Sequence, residues 1–313
     1  MIDRRLAVLR MVAACGTVTG AAEALHYTPS AVSQQLRTLA KDLGVDLVVQ
    51  DGRRIRLTSA ARVLLEETEN LYARWEEIRG LIAAADDGDV GVLRLCGFST
   101  AASALLPRVA VHLRETRPTW QVRIIEVSPQ KCFELLLADQ ADIAVVVATA
   151  ELPSTNDPRF ELSQLLVDPL DLLLPQGHPL ASNTHVRLAD LVDEPWIMDT
   201  PGTPYHQLLQ TACVAAGFTP AVAHYASTWD TGAALVAAGL GIALIPRLAH
   251  LPVGYPVKRV SLSGDPASSR RIVTAIRRGS KTQPAITAAI DSLNQIAQDM
   301  QSGQLLPPPQ HRA

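Results

Sequence analysis

The stretch TVTGAAEALHYTPSAVSQQLRTLAKDLGVDLV, Thr17 to Val48, holds two short helical patterns divided by a turn. Thr19 is placed to cap a helix over Gly20 to Leu25, with Glu23 close to its positive end. Thr28-Pro29 opens the next helix: the threonine caps, and proline at the first helical position forfeits no needed hydrogen bond. That helix runs to Leu43, where Gly44 stops it. Val32, Leu36, Leu39 and Leu43 form one apolar stripe, while Ser30, Ser33, Gln34 and Arg37 project elsewhere. Two helices joined tightly, the second with small polar groups near its start, predict a helix-turn-helix. A helix entering the DNA major groove needs hydrogen-bonding side chains without bulk near its N-terminus. Thr28, Pro29, Ser30, Ser33, Gln34 and Arg37 are therefore the candidate DNA contacts.

The flanks support this reading. A first helix is expected from Asp3 to Ala14, with Leu6, Leu9, Val12 and Ala13 at helical spacing and Gly16 ending it. After the second helix, VDLVVQDGRRIRLTS reads as two short strands around Asp51-Gly52, a strong hairpin signal. Arg53 and Arg54 fall at the hairpin tip and Arg56 on its second strand, so the hairpin is a basic wing able to reach DNA phosphates. The chain of 313 residues carries a net charge of −3, but the average conceals an asymmetry. Residues 1–60 hold eight arginines and lysines against five acids, leaving +3 on the segment and −6 on the rest. A basic head on an acidic body fits a nucleic-acid-binding module fused to something else.

The composition, 48% hydrophobic and 19% charged, belongs to a soluble protein with ample core, and the length allows two or three domains. No apolar run is long enough to span a bilayer, and Arg10 interrupts the only apolar stretch near the start that could resemble a leader. A cytoplasmic protein without membrane partners is expected. Cys15, Cys96, Cys132 and Cys213 form no ligand cluster, and buried free thiols are the expectation, with a thiol-based redox sensor as the alternative.

From Ser59 to about Asp86 the pattern is helical, broken only by Gly80. Leu64, Leu71 and Ile78 repeat at seven, as do Thr68, Trp75 and Ile82, giving an a/d-like seam. A long helix stranded between domains with such a seam predicts self-association through Leu64, Leu71, Trp75, Ile78 and Ile82. DDGDVG follows as a linker. Beyond Gly91, strands and helices alternate in two tandem β-α-β-α-β sets, including one helix over Ala102–Glu115 and two extended runs in FELSQLLVDPLDLLLP. This is an α/β pattern implying two small subdomains. The expected organisation is a DNA-binding domain at 1–58 and a linker helix at 59–88, followed by a ligand-binding domain at 89–300. Subdomain I takes about 89–162 and 267–300, and subdomain II about 163–266. The tail, 301–313, is expected to be disordered.

No catalytic constellation is present. Gly239–Gly241 lacks the helix a dinucleotide fingerprint requires, and GFSTA at Gly97–Ala101 lacks the second glycine of a nucleophile elbow. The eight histidines are dispersed without metal-ligand spacing, so neither metal nor cofactor is expected. FSTAA has another use. A strand ends there and a helix starts, so Ser99, Thr100, Ala101 and their N–H groups can cradle an anion. Comparable corners occur at Ser128-Pro129, at Thr200, Gly202 and Thr203, and at Thr228.

GTVTGAAEALHYTPSAVSQQLRTLAKDLG, the LTSAA that launches the linker helix, HPLA at His178–Ala181 and LVAAGLGIALIP at Leu235–Pro246 come in an order that resembles the LysR-type transcriptional regulators over nearly the whole chain. The resemblance implies a winged helix-turn-helix, a dimerising linker helix and an effector domain like a periplasmic binding protein, with the corners above lining an effector pocket. Two positions depart from the family pattern. Val48 and Gln50 stand where the first wing strand usually has Phe and Arg, which places more of the phosphate contact on Arg53 and Arg54. The combined expectation is not an enzyme but a homodimeric or homotetrameric regulator. It would bind an interrupted palindrome of double-stranded DNA, respond to a small anionic effector and meet RNA polymerase. A solute-binding protein or an enzyme on the same two-subdomain frame is the alternative, and the basic head fits neither.

Overall fold

The computed structural model describes residues 2–51, 54–85, 91–264 and 269–302. Three helices open the chain: α1 (Arg4–Cys15), α2 (Val18–Leu25) and α3 (Pro29–Leu43). Asp3 caps α1 by accepting from the Arg5 N–H at 2.9 Å, and Thr28 caps α3 by accepting from Ala31 N–H at 3.2 Å. The cap expected at Thr19 is corrected. Thr17, in extended backbone, accepts from Gly20 N–H at 3.1 Å, so α2 begins at Val18 and already contains Thr19. Gly44 ends α3 at a left-handed φ of 68°. Val8, Leu9, Ala21, Val32 and Leu36 are buried where the helices meet. Strands β1 (Val48–Asp51) and β2 (Arg54–Leu57) then pair antiparallel, with Val48 opposite Leu57 and Asp51 opposite Arg54.

Thr58 caps α4 (Ser59–Ala85) by accepting from Ala61 N–H at 3.1 Å. After it come β3 (Gly91–Gly97), α5 (Ser99–Ala104), α6 (Leu106–Thr116), β4 (Trp120–Glu126), α7 (Pro129–Leu137) and β5 (Ile143–Val147). The single helix expected over 102–115 is two helices. Leu105 leaves helical geometry at φ −107°, and Pro107, in the first turn of α6, has no N–H with which to continue the preceding helix. The two extended runs expected near Phe160 form one strand, β6 (Phe160–Pro175). The remaining elements are β7 (His185–Arg187), β8 (Pro195–Met198), α8 (Pro204–Ala215), β9 (Ala221–Tyr225), α9 (Trp229–Ala237), β10 (Ala243–Pro246), β11 (Val257–Ser263), β12 (Ser269–Arg277) and α10 (Pro284–Gln301). The three-residue β7 is too short to show a period in the sequence.

The chain divides into two compact units, Met1–Leu165 with Val273–Ser302, and Leu166–Ile272; β6 and β12 contribute to both. In the first unit β4, β3, β5 and β12 lie in that order, with β3 parallel to β4 and to β5. Parallel pairing follows from the helical crossovers, and β5 accordingly reads as an unbroken apolar run, IAVVV. In the second unit β6 is flanked by antiparallel β10 and β11, β7 pairs parallel with β11, and β8 pairs parallel with β9.

Within the first unit the helix-turn-helix shares one continuous core with α7, whose Phe133 and Leu136 are buried in the same cluster as Val8 and Leu9. Gln140 Nε2 donates to Ala24 O at 3.2 Å across that contact. The glycine inside α4 has a packing reason. A Cβ on Gly80 would lie 2.6 Å from Thr282 Oγ1, and Gly279, at φ +82°, faces the Ala73 carbonyl too closely for any side chain. The linker helix therefore packs directly on the turn between β12 and α10. A mid-helix glycine costs about 1 kcal/mol relative to alanine, which this close approach must offset.

Candidate functional site

Helix α3 presents a graded polar face. Ser30, Gln34 and Arg37 are exposed and Ser33 is half-buried, opposite buried Val32, Leu36 and Leu39. The Thr28 and Ser30 hydroxyls are 3.0 Å apart, and Arg37 donates to Gln34 Oε1 at 3.1 Å. These groups cluster over the first turns, where the helix N-terminus carries about half a positive charge. Tyr27, in the turn before α3, is 41% exposed and adds an aromatic face beside the small polar groups. The wing-tip residue Arg53 and the side chain of Arg54 lie outside the described residues.

The seam expected on α4 is uneven. Leu71, Trp75 and Ile82 are exposed, at 56%, 37% and 60%. Thr68 is buried with its hydroxyl on Leu64 O, while Leu64 packs against the helix-turn-helix core and Ile78 is half-buried. The heptad therefore changes partner along its length: its beginning belongs to the subunit's own core, and Leu71, Trp75 and Ile82 remain uncovered. The adjoining face carries charge that the sequence did not reveal. Arg10 of α1 stacks its guanidinium 3.8 Å from the Tyr72 ring and donates to Glu69. One helical turn or two further on, buried Glu76 meets Arg277 at 3.1 Å, and Arg277 reaches Asp142 at 3.2 Å. Asp142 also takes a fork from Arg94 at 3.0 and 2.7 Å. Burial pushes the Asp142 carboxyl up, but Arg94 and Arg277 outweigh it and hold it below its ordinary value.

The expected anion-binding corners behave differently from one another. In the first unit Ser99 is exposed, Ala101 is buried, and neither Ser99 nor Thr100 caps α5. Thr100 is 2% exposed, and its buried hydroxyl has no hydrogen-bond partner among the described residues. Ser128, exposed, accepts from Lys131 N–H at 3.3 Å ahead of Pro129 and α7.

In the second unit two of the expected hydroxyls, those of Thr203 and Thr228, make hydrogen bonds within the protein. Thr203 caps α8, accepting from His206 N–H, and its proton goes to Asp199 Oδ2 at 2.9 Å or to Thr200 O at 3.0 Å. Thr228 caps α9 and donates to Thr231 Oγ1 at 3.0 Å. Gly202 takes a left-handed φ of 89° in the turn, and Thr200 is exposed. Beside them lies a pocket of about 300 Å³, its open mouth included, lined by Met198, Asp199, Tyr205, Thr228, Trp229 and Leu244 among others. Asp199, Tyr205 and Trp229 were not legible as site residues, since each is separated in sequence from the others by a helix or a turn.

Cys96, Cys132 and Cys213 are buried and Cys15 is half-buried, all as free thiols. Contact with Cys132, then burial, pushes the Cys96 thiol far up; burial alone raises Cys213 to about 12. Among the described residues no group of His, Cys, Asp and Glu side chains could hold a metal ion, and no helix is long and apolar enough to cross a membrane.

A winged helix-turn-helix, a long linker helix and an α/β domain define a DNA-binding regulator with a ligand-binding domain. Residues 4–62 match the bacterial regulatory helix-turn-helix model of the lysR family, and residues 86–298 match the LysR substrate binding domain. The chain belongs to the LysR family of transcriptional regulators. It is 29% identical over 266 residues to a probable hydrogen peroxide-inducible genes activator of Mycobacterium avium, covering 84% of this chain and 83% of that one. Its fold is similar to full-length OxyR C199D from Pseudomonas aeruginosa, with a TM-score of 0.65 at 20% identity over 100% and 99% of the two chains. It is also similar to full-length CbnR complexed with its target DNA, with a TM-score of 0.56 at 22% identity over 95% and 100%. It is a LysR-type DNA-binding regulator with an effector-binding domain.

Proposed function

We propose that this regulator acts in the cytoplasm as a homodimer or homotetramer on an interrupted palindrome of double-stranded DNA. Ser30, Ser33, Gln34 and Arg37 read base edges, the Thr28-Pro29 start of α3 sits against a phosphate, and Arg53 and Arg54 contact phosphates from the wing. The observation that carries this reading is the face of α3, polar and exposed over its first turns and locked from behind by Val32, Leu36 and Leu39. The similarity in fold to CbnR, a structure complexed with target DNA, supports it. Self-association runs through Leu71, Trp75 and Ile82, the uncovered part of the linker seam, with Leu64 and Ile78 at its margins.

The effector is a small molecule whose anionic group is received at the first-unit corner of Ser99, Thr100 and Ala101, with Ser128-Pro129 close in role. The unpartnered, buried Thr100 hydroxyl supports this assignment. RNA polymerase is the partner through which such a regulator acts. A thiol-sensing mechanism has less support, because the raised Cys15, Cys96 and Cys213 thiols leave little reactive thiolate near neutral pH.

The test selects operator fragments with the full-length protein and compares them with random DNA by fluorescence anisotropy across a salt series. Arg53→Ala and Arg54→Ala should each weaken both DNAs and lower the slope of log affinity against log salt by about one unit. Equal affinity for operator and random DNA, with no dependence on salt, would overturn the reading.

A further inference from the structure

A pocket of the first unit lies where α1, α4, the segment before β6 and the end of β12 meet. Its volume is about 230 Å³, open mouth included. Four arginines and two glutamates line it, with Tyr72, Ala73 and Pro158 between them. The two carboxylates are already covered. Glu69 takes the Arg10 fork on both oxygens, and Glu76 accepts from Arg277 and Arg79 on Oε1 and from Gln283 on Oε2.

The guanidiniums keep donors in reserve. Arg159 spends Nε and Nη2 on Asp157, at 2.9 and 2.8 Å. Arg278 spends the same two atoms on the carbonyls of Asp157, Pro158 and Phe160. Among the described residues, Nη1 of neither side chain makes a hydrogen bond. Arg10 stacks on the Tyr72 ring while holding Glu69, and the Tyr72 phenol beside it is a further group able to donate.

Charge sets the sign of the ligand, and partners outside the wall belong in the count. Arg10 is balanced by Glu69 and Arg159 by Asp157. Arg277 shares Glu76, Asp139 and Asp142 with Arg79 and Arg94, an equal number of each sign. Arg278 has carbonyl partners and, among the described residues, no ion pair. The site is therefore positive by the charge of Arg278. A cation would meet four guanidiniums and no open carboxylate. An anion would meet unspent N–H groups from separate stretches of chain. A carboxylate pairs with one guanidinium fork, whereas a phosphate group presents three strong acceptor oxygens to several donors at once.

We infer that this pocket binds the phosphate group of a small molecule, held by Nη1 of Arg159 and Arg278 with Arg10 and Tyr72 completing the wall. A ligand there touches the DNA-binding head, the linker helix and the α/β domain together. The site is separate from the anion corner of Ser99, Thr100 and Ala101 and does not depend on it.

The test titrates the full-length protein calorimetrically with inorganic phosphate, glycerol phosphate and acetate at one ionic strength. The tighter of the two phosphates should bind saturably, about ten- to a hundredfold more tightly than acetate, the range expected of charge-assisted hydrogen bonds. Which of the two binds more tightly tells a phosphate ester from the free ion. Arg278→Ala, at an exposed position, should weaken that binding about tenfold or more. Arg159→Ala provides the same reading should the first variant fail to fold. Arg54→Ala in the wing and Thr100→Val at the anion corner should keep wild-type affinity. Absence of saturable phosphate binding, acetate bound as tightly, or full affinity in the Arg278 and Arg159 variants would each overturn the assignment. Loss of phosphate affinity with Thr100→Val alone would move the ligand to the anion corner, overturning this site while leaving that corner standing.

Discussion

Arg10, on the first helix of the DNA-binding head, forks onto Glu69 of the linker helix at 2.8 and 2.5 Å, with side chains only 6% and 7% exposed. The sequence distance is 59 residues, and the pair ties the orientation of the head to the helix that carries it. Removing one partner leaves a buried charge uncompensated. Glu69→Ala should therefore cost about 3–5 kcal/mol in urea unfolding of the full-length protein. The double variant Arg10→Met, Glu69→Leu should recover most of that loss. Equal destabilisation by the single and double variants would show that packing, and not the charge pair, holds this contact.

On the recognition helix, Ser33→Ala and Gln34→Ala should each reduce operator discrimination by about 1–3 kcal/mol, with a smaller effect on random DNA. Competition anisotropy with both DNAs measures the difference. Parallel losses on the two DNAs would assign these side chains to the backbone and not to bases.

The exposed part of the linker seam makes a different demand. Leu71→Glu with Ile82→Glu should place like charges across a self-association interface while touching nothing in the subunit's own core. Sedimentation should show monomers of unchanged thermal stability, with operator affinity sharply reduced because each half-site is then bound alone. Ile78, half-buried, is the poorer target, since its replacement would also disturb the subunit. A double variant that stays oligomeric places the interface on another surface.

Asp142 gives a pH dependence of defined sign. Its folded carboxyl lies below its ordinary value because Arg94 and Arg277 outweigh burial. Its stabilisation is complete above the unfolded value, about 3.9, and is lost as the pH falls through the lower folded value. Asp142→Asn should thus be less stable than wild type at neutral pH, and the gap should close on acidification below about pH 4. Urea midpoints taken from neutral pH downward will show it. A gap that stays constant with pH would mean that Asp142 acts by shape alone.

Local structure and much of the architecture were legible in the residues themselves. Thr28-Pro29 and Gly44 bound the recognition helix because capping and chain-reversal chemistry act within a few residues. Alternating apolar runs and helices specified the α/β domain for the same reason: side-chain period is a local property. Two threonines one residue apart showed where that logic stops. Thr17 and Thr19 are both competent caps, and only the backbone conformation selects Thr17. Tertiary structure alone decided what each face meets. It buried Thr68 and exposed Leu71 on one seam, and it set Arg10 on Glu69 and Arg277 between Glu76 and Asp142. It also consumed the Thr203 and Thr228 hydroxyls while leaving the Thr100 hydroxyl without a partner among the described residues. Charge pairing and ligand sites depend on groups brought together from distant parts of the chain, and no local period records which groups those are.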